Sequence, residues 1–310
     1  MKLTTRVATA AALTLTLAGL IAPAVAAPAP ASAPAPAPHT RQSQLTATGQ
    51  RVLSIPGLVN ARDIGGYATY DGKKTKWATV YRTETLSKLT PSGTAAVGSL
   101  NLSKVIDLRT AAEIGADGTD KLPAGVVSVA RPVDDTSLFA FIGGVVRSGD
   151  PVYQQAQLGN GKAEERMVAL YEGFVTNSAN RAQLGAAIKD IANATGPVSF
   201  HCSAGKDRTG VLADTVLRAV GVPSSTSEQD YLLSNSLRAA TDKALRDQVG
   251  AAGYMQNPDL LIPLQEVRGD YLAAFRDQAV ANYGSFGKFL TDGLGLDAPT
   301  LARLRSRLVA

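Results

Sequence analysis

Cysteine and histidine are the scarcest reactive residues in this chain of 310 amino acids. There is one cysteine, Cys202, so no disulfide can form within the chain and the fold must be held by its core. The two histidines, His39 and His201, are too few for a histidine-rich metal site. A hydrolase of the Ser-His-Asp type would have to use one of these two side chains.

Charge is also sparse, because only 18% of the residues are Asp, Glu, Lys or Arg. The formal net charge is +5, and it falls to +3 if Lys2 and Arg6 are removed with a leader segment. The chain has no long basic run, so we expect no nucleic-acid partner. A mild positive excess is compatible with anionic substrates.

The first 50 residues differ in composition from the rest. Residues 1–26 have a positively charged start, an apolar centre and small residues at Ala24 and Ala26, which predicts a signal peptide cleaved after Ala26. The alternative, a retained membrane anchor, is disfavoured because the apolar centre is short. Residues 27–50 begin as an alanine- and proline-rich stretch and predict a flexible linker. We therefore expect a secreted protein, extracellular or in the cell envelope, with a folded domain at 51–310 and no transmembrane segment after cleavage.

Apolar runs and helix signals alternate along the folded region. Val105–Arg109, Val126–Ala130 and Pro197–Phe200 predict buried strands, with helices between them. This pattern predicts an α/β fold with a central, mostly parallel sheet flanked by helices. In such folds the functional loops lie at the carboxyl ends of the strands.

Other stretches predict local structure. Tyr67–Tyr70 and Trp77–Arg82 predict the two strands of a hairpin with its turn at Asp71-Gly72. Near the C terminus, Ser227–Ala239 and Thr241–Ala252 predict two separate helices.

The segment at about 134–161 interrupts the alternation. Leu138–Ile142 is strongly apolar, and glycine-containing breakers follow it at Gly143, Gly149 and Gly159. Such a segment is typical either of a lid over a site or of a packed insertion. We expect a helical lid, because flexible breakers flank an apolar helix.

The stretch His201–Gly210 connects a predicted strand to a predicted helix and contains the single cysteine. Five residues separate Cys202 from Arg208, and Thr209 follows, a spacing typical of cysteine-dependent phosphatases. A free thiol has a pKa of about 8.5, and nearby cations and a helix N-terminus favour the nucleophilic thiolate. We therefore predict that Cys202 attacks the phosphorus of a phosphomonoester.

The rest of this loop has the groups that a phosphate dianion requires. The planar guanidinium of Arg208 can grip two oxygens, which lysine cannot do. Backbone N–H groups of small residues can form an anion nest, and the hydroxyl of Thr209 can donate a hydrogen bond to the sulfur. The predicted phosphate-binding residues are Ser203, Ala204, Gly205, Lys206, Arg208 and Thr209.

A general acid must protonate the leaving oxygen, which contributes about 10²–10⁴-fold to the rate. Asp207, inside the loop and next to Arg208, is the first candidate. Asp107, at the end of a predicted strand, and Asp134 or Asp135, ahead of the predicted lid, are alternatives.

Two further pairs of charged residues are predicted to support the site. Asp107 and Arg109 lie at the carboxyl end of a predicted strand, where active loops gather. Arg62 and Asp63 precede a pair of glycines. For this second pair, a structural ion pair and a role at the site are equally compatible with the sequence.

Four blocks of the sequence carry a resemblance to a known family. In order, these blocks are Asn60–Tyr67, Tyr81–Leu86, Val105–Glu113 and His201–Gly210. They resemble the bacterial secreted tyrosine and dual-specificity phosphatases, a family that includes phosphoinositide phosphatases. The resemblance implies a tyrosine-phosphatase-like fold with a helical lid and phosphocysteine catalysis without a metal or other cofactor. It also implies a phosphorylated protein or a phosphoinositide as the partner.

The resemblance assigns roles to individual residues as well. It implies Cys202 as nucleophile, Arg208 as phosphate clamp and Asp207 as acid, and it matches Lys206 to a lysine associated with phosphoinositide-active members. A Trp-Pro-Asp loop, the usual source of the acid in tyrosine phosphatases, is absent from the sequence.

Two other functions remain open at this point. One is a phospho-ligand binding module with weak or no catalysis, which the intact Cys202, Asp207 and Arg208 disfavour. The other is a thiol redox or sulfur-transfer enzyme, which the lack of a second cysteine disfavours.

Overall fold

The structure is a computed structural model that describes residues 50–310. The predicted signal peptide, at 1–26, and all but the last residue of the predicted linker lie outside the described residues. Within the described part of the chain, no helix is both long enough and apolar enough to cross a membrane.

Five strands form one mixed sheet: β1 (Arg62–Asp63), β2 (Val80–Thr83), β3 (Lys104–Asp107), β4 (Val127–Ala130) and β5 (Val198–His201). Their order is β1-β2-β5-β3-β4; β1 is antiparallel to β2, and the other pairs are parallel. Thr83 and Asp107 both lie opposite His201, so three central strands end at one edge. The predicted α/β fold with a mostly parallel sheet is confirmed.

Helices cover the sheet and extend beyond it. In chain order, the helices that the structure describes are α1 (Pro91–Gly98), α2 (Ala111–Asp117), α3 (Leu138–Arg147), α4 (Pro151–Leu158), α5 (Lys162–Thr176), α6 (Ser178–Ala192), α7 (Asp207–Ala219), α8 (Ser224–Ala251), α9 (Ile262–Gln265), α10 (Gly269–Tyr283), α11 (Phe286–Lys288) and α12 (Ala298–Leu308). Short 3₁₀ turns lie at Leu86–Lys88 and Pro258–Leu261, and a π-helical turn lies at Phe289–Gly293.

Local sequence explains where several helices begin. The Thr90 side chain accepts the Gly93 N–H at the start of α1, and Pro91 occupies the first turn, where its missing N–H costs nothing. Thr110 and Glu113 form a reciprocal capping box at the start of α2. This box fixes the backbone and the rotamer of Glu113, a residue that reappears at the site.

Adjacent residues on the strands serve two cores, one on each face of the sheet. Val80 and Ile106 belong to the larger core, together with residues of α5, α6, α7 and α10. Tyr81 and Val105 belong to the smaller core beside α1. The alternation follows from the two-residue period of a strand, and burial on both faces explains why Val80, Tyr81, Val105 and Ile106 are all apolar.

The predicted hairpin was wrong in its second strand. The turn at Gly72 exists, but the chain returns at once, through the bridge between Ala68 and Lys74. The apolar run that was assigned to the return instead supplies β2, which pairs with β1 and β5. A buried run of this kind is stabilised more by the centre of a sheet than by a two-stranded hairpin.

The predicted break between two C-terminal helices was also wrong, because α8 continues from Ser224 to Ala251. Arg238 and Asp242 form an ion pair of 2.6 Å across the expected break. Pairs spaced by four residues stabilise a helix, and no proline interrupts the backbone here.

The predicted lid segment contains α3 and α4. The buried Gln154 in α4 donates to the carbonyl of Tyr254 at 2.8 Å, and it also donates to Val145 in α3 at 3.2 Å. These bonds attach the two helices to each other and to the C-terminal part of the chain. Mobility of this segment stays a prediction.

Candidate active site

The loop of the single cysteine lies between the end of β5 and the start of α7. Cys202 is 2% exposed and follows His201 directly. The first N–H groups of a helix carry partial positive charge and lack intrahelical partners, so the N-terminus of α7 favours an anion in the loop. Gly205 has a φ of +68°, and a Cβ there would lie 2.6 Å from the Glu84 nitrogen.

The loop carbonyls are held by groups outside the loop. Thr85 N donates to Ser203 O at 3.2 Å, and the amide of Asn60 donates to Ala204 O at 3.2 Å and to Gly205 O at 3.1 Å. Among residues 50–310, no protein acceptor takes the N–H of Ser203, Ala204 or Gly205. Fixed carbonyls on the outside leave these N–H groups free for an anion, as in a backbone nest.

A fully buried ion-pair cluster supports the loop from beneath. Asp230 of α8 binds Arg62 Nε at 3.1 Å and Arg82 Nη1 at 2.7 Å. Arg82 Nη2 then donates to Gly205 O at 3.0 Å. Burial raises the pKa of Asp230, but the two guanidinium groups outweigh it and hold this pKa far below its usual range.

Arg208, in the first turn of α7, forms an end-on pair with Glu113. Nη1 donates to Oε2 at 2.7 Å and Nη2 donates to Oε1. Nη1 also donates to the carbonyls of Val133, at 3.1 Å, and Leu108, at 3.4 Å. In the described part of the chain, Arg208 Nε has no protein partner, so the Nε/Nη2 edge is free for two oxygens of a phosphate.

Burial raises the pKa of Glu113, but its hydrogen bonds with Arg208 and the charge of that guanidinium bring it down to about 2. The pair is therefore ionised at neutral pH. Ser203 Oγ donates to Glu113 Oε1 at 3.0 Å, which connects the loop to the same carboxylate.

Lys206 and Thr209 make different contacts from those the sequence suggests. Lys206 Nζ donates to the Leu264 carbonyl at 2.7 Å and lies 3.2 Å from a carboxylate oxygen of Asp207. The buried hydroxyl of Thr209 has no hydrogen-bond partner among the described residues, so the expected bond to the sulfur of Cys202 is not formed.

The four candidate acids have different surroundings. Asp207 Oδ1 accepts the hydroxyl of the fully buried Tyr171 at 2.9 Å. Asp107 is bound side-on by Arg109, at 2.8–3.2 Å. Asp134 is exposed, whereas the half-buried Asp135 accepts the Phe139 N–H at 2.9 Å. Burial and hydrogen-bond partners therefore distinguish the four candidate acids, whereas the sequence does not.

Arg109 lies within a buried network next to the loop. It binds Asp107 and also Asp120, at 3.0 Å, and Asp120 accepts from His201 Nε2 at 2.9 Å. Ligand atoms of Asp107, Asp120 and His201 lie within 4.8 Å of one another, as in a metal site. The guanidinium of Arg109 donates to both carboxylates, so its charge occupies the place that a cation would need.

Arg62 and Asp63 do not form the ion pair that was one of their two interpretations. Arg62 binds Asp230, whereas Asp63 accepts the N–H groups of Gly65 and Ala78, both at 2.7 Å. Burial raises the pKa of Asp63 to about 6, although these N–H groups counteract the effect. Both residues thus shape the strands beneath the loop.

The model of one protein family, described as the tyrosine phosphatase family, matches residues 53–310. The chain belongs to the tyrosine phosphatase family. It is accordingly an enzyme, a phosphoric monoester hydrolase of the protein-tyrosine-phosphatase type. The expected family resemblance is confirmed.

Relatives of this phosphatase include the triple specificity protein phosphatase PtpB of Mycobacterium tuberculosis. The two are 29% identical, over 83% of this chain and 99% of PtpB. A tyrosine-protein phosphatase candidate of Cupriavidus necator is 27% identical, over 84% of this chain and 90% of that protein. The crystal structure of P. aeruginosa TpbA in complex with pTyr aligns at 16% identity, over 67% of this chain and 90% of that one, with a TM-score of 0.22.

Reasoning from the sequence missed three positioning residues of this phosphatase: Glu113, Asp230 and Asp120. Glu113 lies in one of the four blocks, and its capping-box spacing from Thr110 was a usable signal. Asp230 lies on the long helix α8, and Asp120 lies in the loop after α2. Acidic residues in both settings are usually solvated. No local signal separates them from other acids.

Proposed function

We propose that this phosphatase is a secreted enzyme that hydrolyses phosphotyrosine through a phosphocysteine intermediate. The observation that carries the proposal is the position of the Arg208 Nε/Nη2 edge in the same loop as Cys202, with Glu113 holding its other edge. The loop N–H groups without protein acceptors support the same reading, since they suit the oxygens of a transferring phosphoryl group.

In the proposed reaction, the thiolate of Cys202 attacks phosphorus while the phosphate oxygens bind Arg208 and the loop N–H groups. The P–O bond to the leaving group breaks, and its electron pair goes to the leaving oxygen, which is protonated. Water then attacks the phosphocysteine and releases inorganic phosphate. Charge develops on the equatorial oxygens, where the guanidinium is already oriented.

Phosphotyrosine is proposed as the main substrate, with phosphoserine, phosphothreonine and phosphoinositides as further substrates. The family description supports the first, and the name of the mycobacterial relative, a triple specificity phosphatase, supports a broader range. Lys206 was matched to lysines of phosphoinositide-active members, but its ammonium is bound to the Leu264 carbonyl. Phosphoinositide activity would therefore require Lys206 to exchange this carbonyl for a substrate phosphate.

The catalytic role of Cys202 is tested with p-nitrophenyl phosphate. We expect Cys202→Ser to lose turnover and still bind phosphate, because the hydroxyl is a much weaker nucleophile than a thiolate. Hydrolysis by Cys202→Ser at the wild-type rate would exclude the phosphocysteine route. A phosphate-release panel of phosphopeptides and phosphoinositides, with this variant as the blank, then measures the substrate range.

The proposal that the protein is exported depends only on the predicted signal peptide at residues 1–26. Expression of the full chain in a bacterial host that secretes proteins should yield a mature form that begins at Ala27. Mass spectrometry of the protein from the medium or envelope measures that terminus. A protein that keeps Met1 and remains inside the cells would contradict this proposal.

A further inference from the structure

Asp207, the acid that the sequence favours, is bound by interior groups. Its Oδ1 accepts the hydroxyl of Tyr171, which itself lies 2.7 Å from the hydroxyl of the buried Tyr231. Lys206 lies 3.2 Å from its other oxygen. A proton donor must come within hydrogen-bond reach of the leaving oxygen, and both oxygens of Asp207 are held by protein groups.

Asp135 occupies a different position, on a segment that lies against the phosphate clamp. Arg208 Nη1 donates to Val133 O at 3.1 Å, and Val133 N donates to Leu108 O at 3.0 Å. Asp135 follows two residues later and is half-buried. Its Oδ2 accepts the Phe139 N–H, whereas its Oδ1 has no partner within residues 50–310.

The charged groups that face Asp135 are Arg208, Glu113 and its neighbour Asp134. Burial raises the pKa of Asp135, Arg208 lowers it, and the two carboxylates raise it again. The net result is a raised pKa, which is the direction that suits a group that must carry a proton near neutral pH.

The chain changes direction directly after Asp135. Thr136 and Ser137 have φ values of 54° and 64°, a left-handed conformation that is unfavourable for residues with a side chain. These two residues directly precede α3, the first helix of the predicted lid. Such strained backbone persists where the surrounding structure fixes it, which is common beside active sites.

We propose that Asp135 is the proton donor and acceptor of the reaction, which deepens the proposed phosphocysteine mechanism and rests on it. As the P–O bond breaks, the leaving oxygen takes its electron pair and a proton from the Asp135 carboxyl. The resulting carboxylate then takes a proton from water as the water oxygen attacks phosphorus. The S–P bond breaks, and its electron pair returns to Sγ of Cys202.

The test compares aryl phosphates whose leaving phenols have increasing pKa, ending with phosphotyrosine, whose phenol has a pKa of about 10. Asp135→Asn keeps an oxygen that can accept the Phe139 N–H. We expect it to lose about 10²–10⁴-fold in kcat on phosphotyrosine, and much less on p-nitrophenyl phosphate, which has the better leaving group. In the wild type, kcat/KM should fall at alkaline pH as the general acid loses its proton, and this fall should be absent in Asp135→Asn. With the better leaving group, phosphocysteine should accumulate, as measured by mass spectrometry of the quenched enzyme.

Asp277→Asn is the control, because it makes the same chemical change at an exposed aspartate on α10 that is not among the candidate acids. It should keep the wild-type dependence on the leaving group. The assignment to Asp135 is overturned if Asp135→Asn behaves like this control, and Asp207 becomes the donor if Asp207→Asn shows the selective loss instead. An active Cys202→Ser would overturn the proposed function and this inference together.

Discussion

The guanidinium of Arg208 has five N–H groups, and the way they are shared defines this site. Glu113 accepts one N–H from Nη1 and one from Nη2, and the carbonyls of Val133 and Leu108 share the second N–H of Nη1. What remains for a substrate is one bidentate edge. Orientation therefore depends on Glu113, although this residue is placed by the capping box of α2 rather than by the loop itself.

Glu113→Gln should weaken the phosphate clamp without removing it. An amide keeps one acceptor but presents an N–H₂ group to the guanidinium, so we expect kcat/KM to fall by about 10²-fold through misorientation. Kinetics with p-nitrophenyl phosphate measure this loss. Glu228→Gln, which removes a carboxylate paired with Arg276, should leave kcat/KM unchanged. Equal losses in both variants would contradict the role of Glu113.

Glu113→Gln should also change how the stability of the fold depends on pH. The pKa of Glu113 lies at about 2, below its ordinary 4.5. Its ionised form therefore stabilises the fold above about pH 4.5, and this contribution is lost as the pH falls towards 2. Urea unfolding of Glu113→Gln should show a smaller loss of stability across this acid range than the wild type.

At the scale of elements, the loop between β5 and α7 can form only where its backbone approaches β2 closely. Gly205 has a positive φ, and its α-carbon faces the backbone of Thr83 and Glu84. This approach lets the Gly205 carbonyl reach Arg82 and Asn60. Glycine is required here for space as well as for conformation.

Gly205→Ala should therefore abolish most activity, because the new Cβ would lie 2.6 Å from the Glu84 nitrogen and would push the loop away. We expect kcat/KM to fall by at least about 10²-fold. Gly253→Ala is the matched control, with a similar φ of +73° and no atom within 4 Å of the new Cβ. It should lose only about 1–2 kcal/mol of stability and keep its activity. Similar activities for the two variants would contradict this account.

Elements whose signals are local could be predicted from the sequence. The start of α1 at Thr90-Pro91, the strands β3 and β4, and the strand before Cys202 all lie within two residues of their predicted positions. The helix after the loop begins earlier than predicted, at Asp207, within the stretch that was expected to connect strand and helix. The hairpin after Tyr67 and the break near Thr241 were wrong, because pairing and helix continuation depend on what the segment packs against. Val80 and Tyr81 would suit a strand in either setting, but only the central position in the sheet buries all four residues of Val80–Thr83.

At the scale of the whole molecule, Asp230 connects parts of the chain that are distant in sequence. It lies on α8 and binds Arg62 of β1 and Arg82 of β2, and it accepts the Tyr67 hydroxyl at 2.9 Å. Through Arg82 it also supports the loop carbonyl of Gly205. Strands, helix and site are therefore coupled through one buried carboxylate.

Asp230→Asn should destabilise the fold by about 3–5 kcal/mol, because it leaves two buried guanidinium groups without their counter-charge. Urea unfolding at neutral pH measures this difference. Asp247→Asn, which removes a solvent-exposed pair with Lys243, should cost less than about 1 kcal/mol. A small effect of Asp230→Asn would mean that the two arginines find other acceptors in the folded state.

The sequence by itself determined the class of the fold, the family and the position of the loop that contains Cys202. These depend on periodicity, on residue types and on spacing within short segments, which need no knowledge of long-range contacts. The Cys-x5-Arg spacing keeps Cys202, in the loop, close in sequence to Arg208, in the first turn of α7.

Only the tertiary structure decided which groups hold this loop and which acids face it. Glu113 binds Arg208 across 95 positions of sequence, and Asp230 binds Arg82 across 148. The charge of Arg208 also acts on Asp135, which is distant from it in sequence. Burial raises the pKa of Asp135, whereas charge lowers that of Glu113. Side chains of one chemical type thus acquire different roles because desolvation and neighbouring charge are properties of position in space.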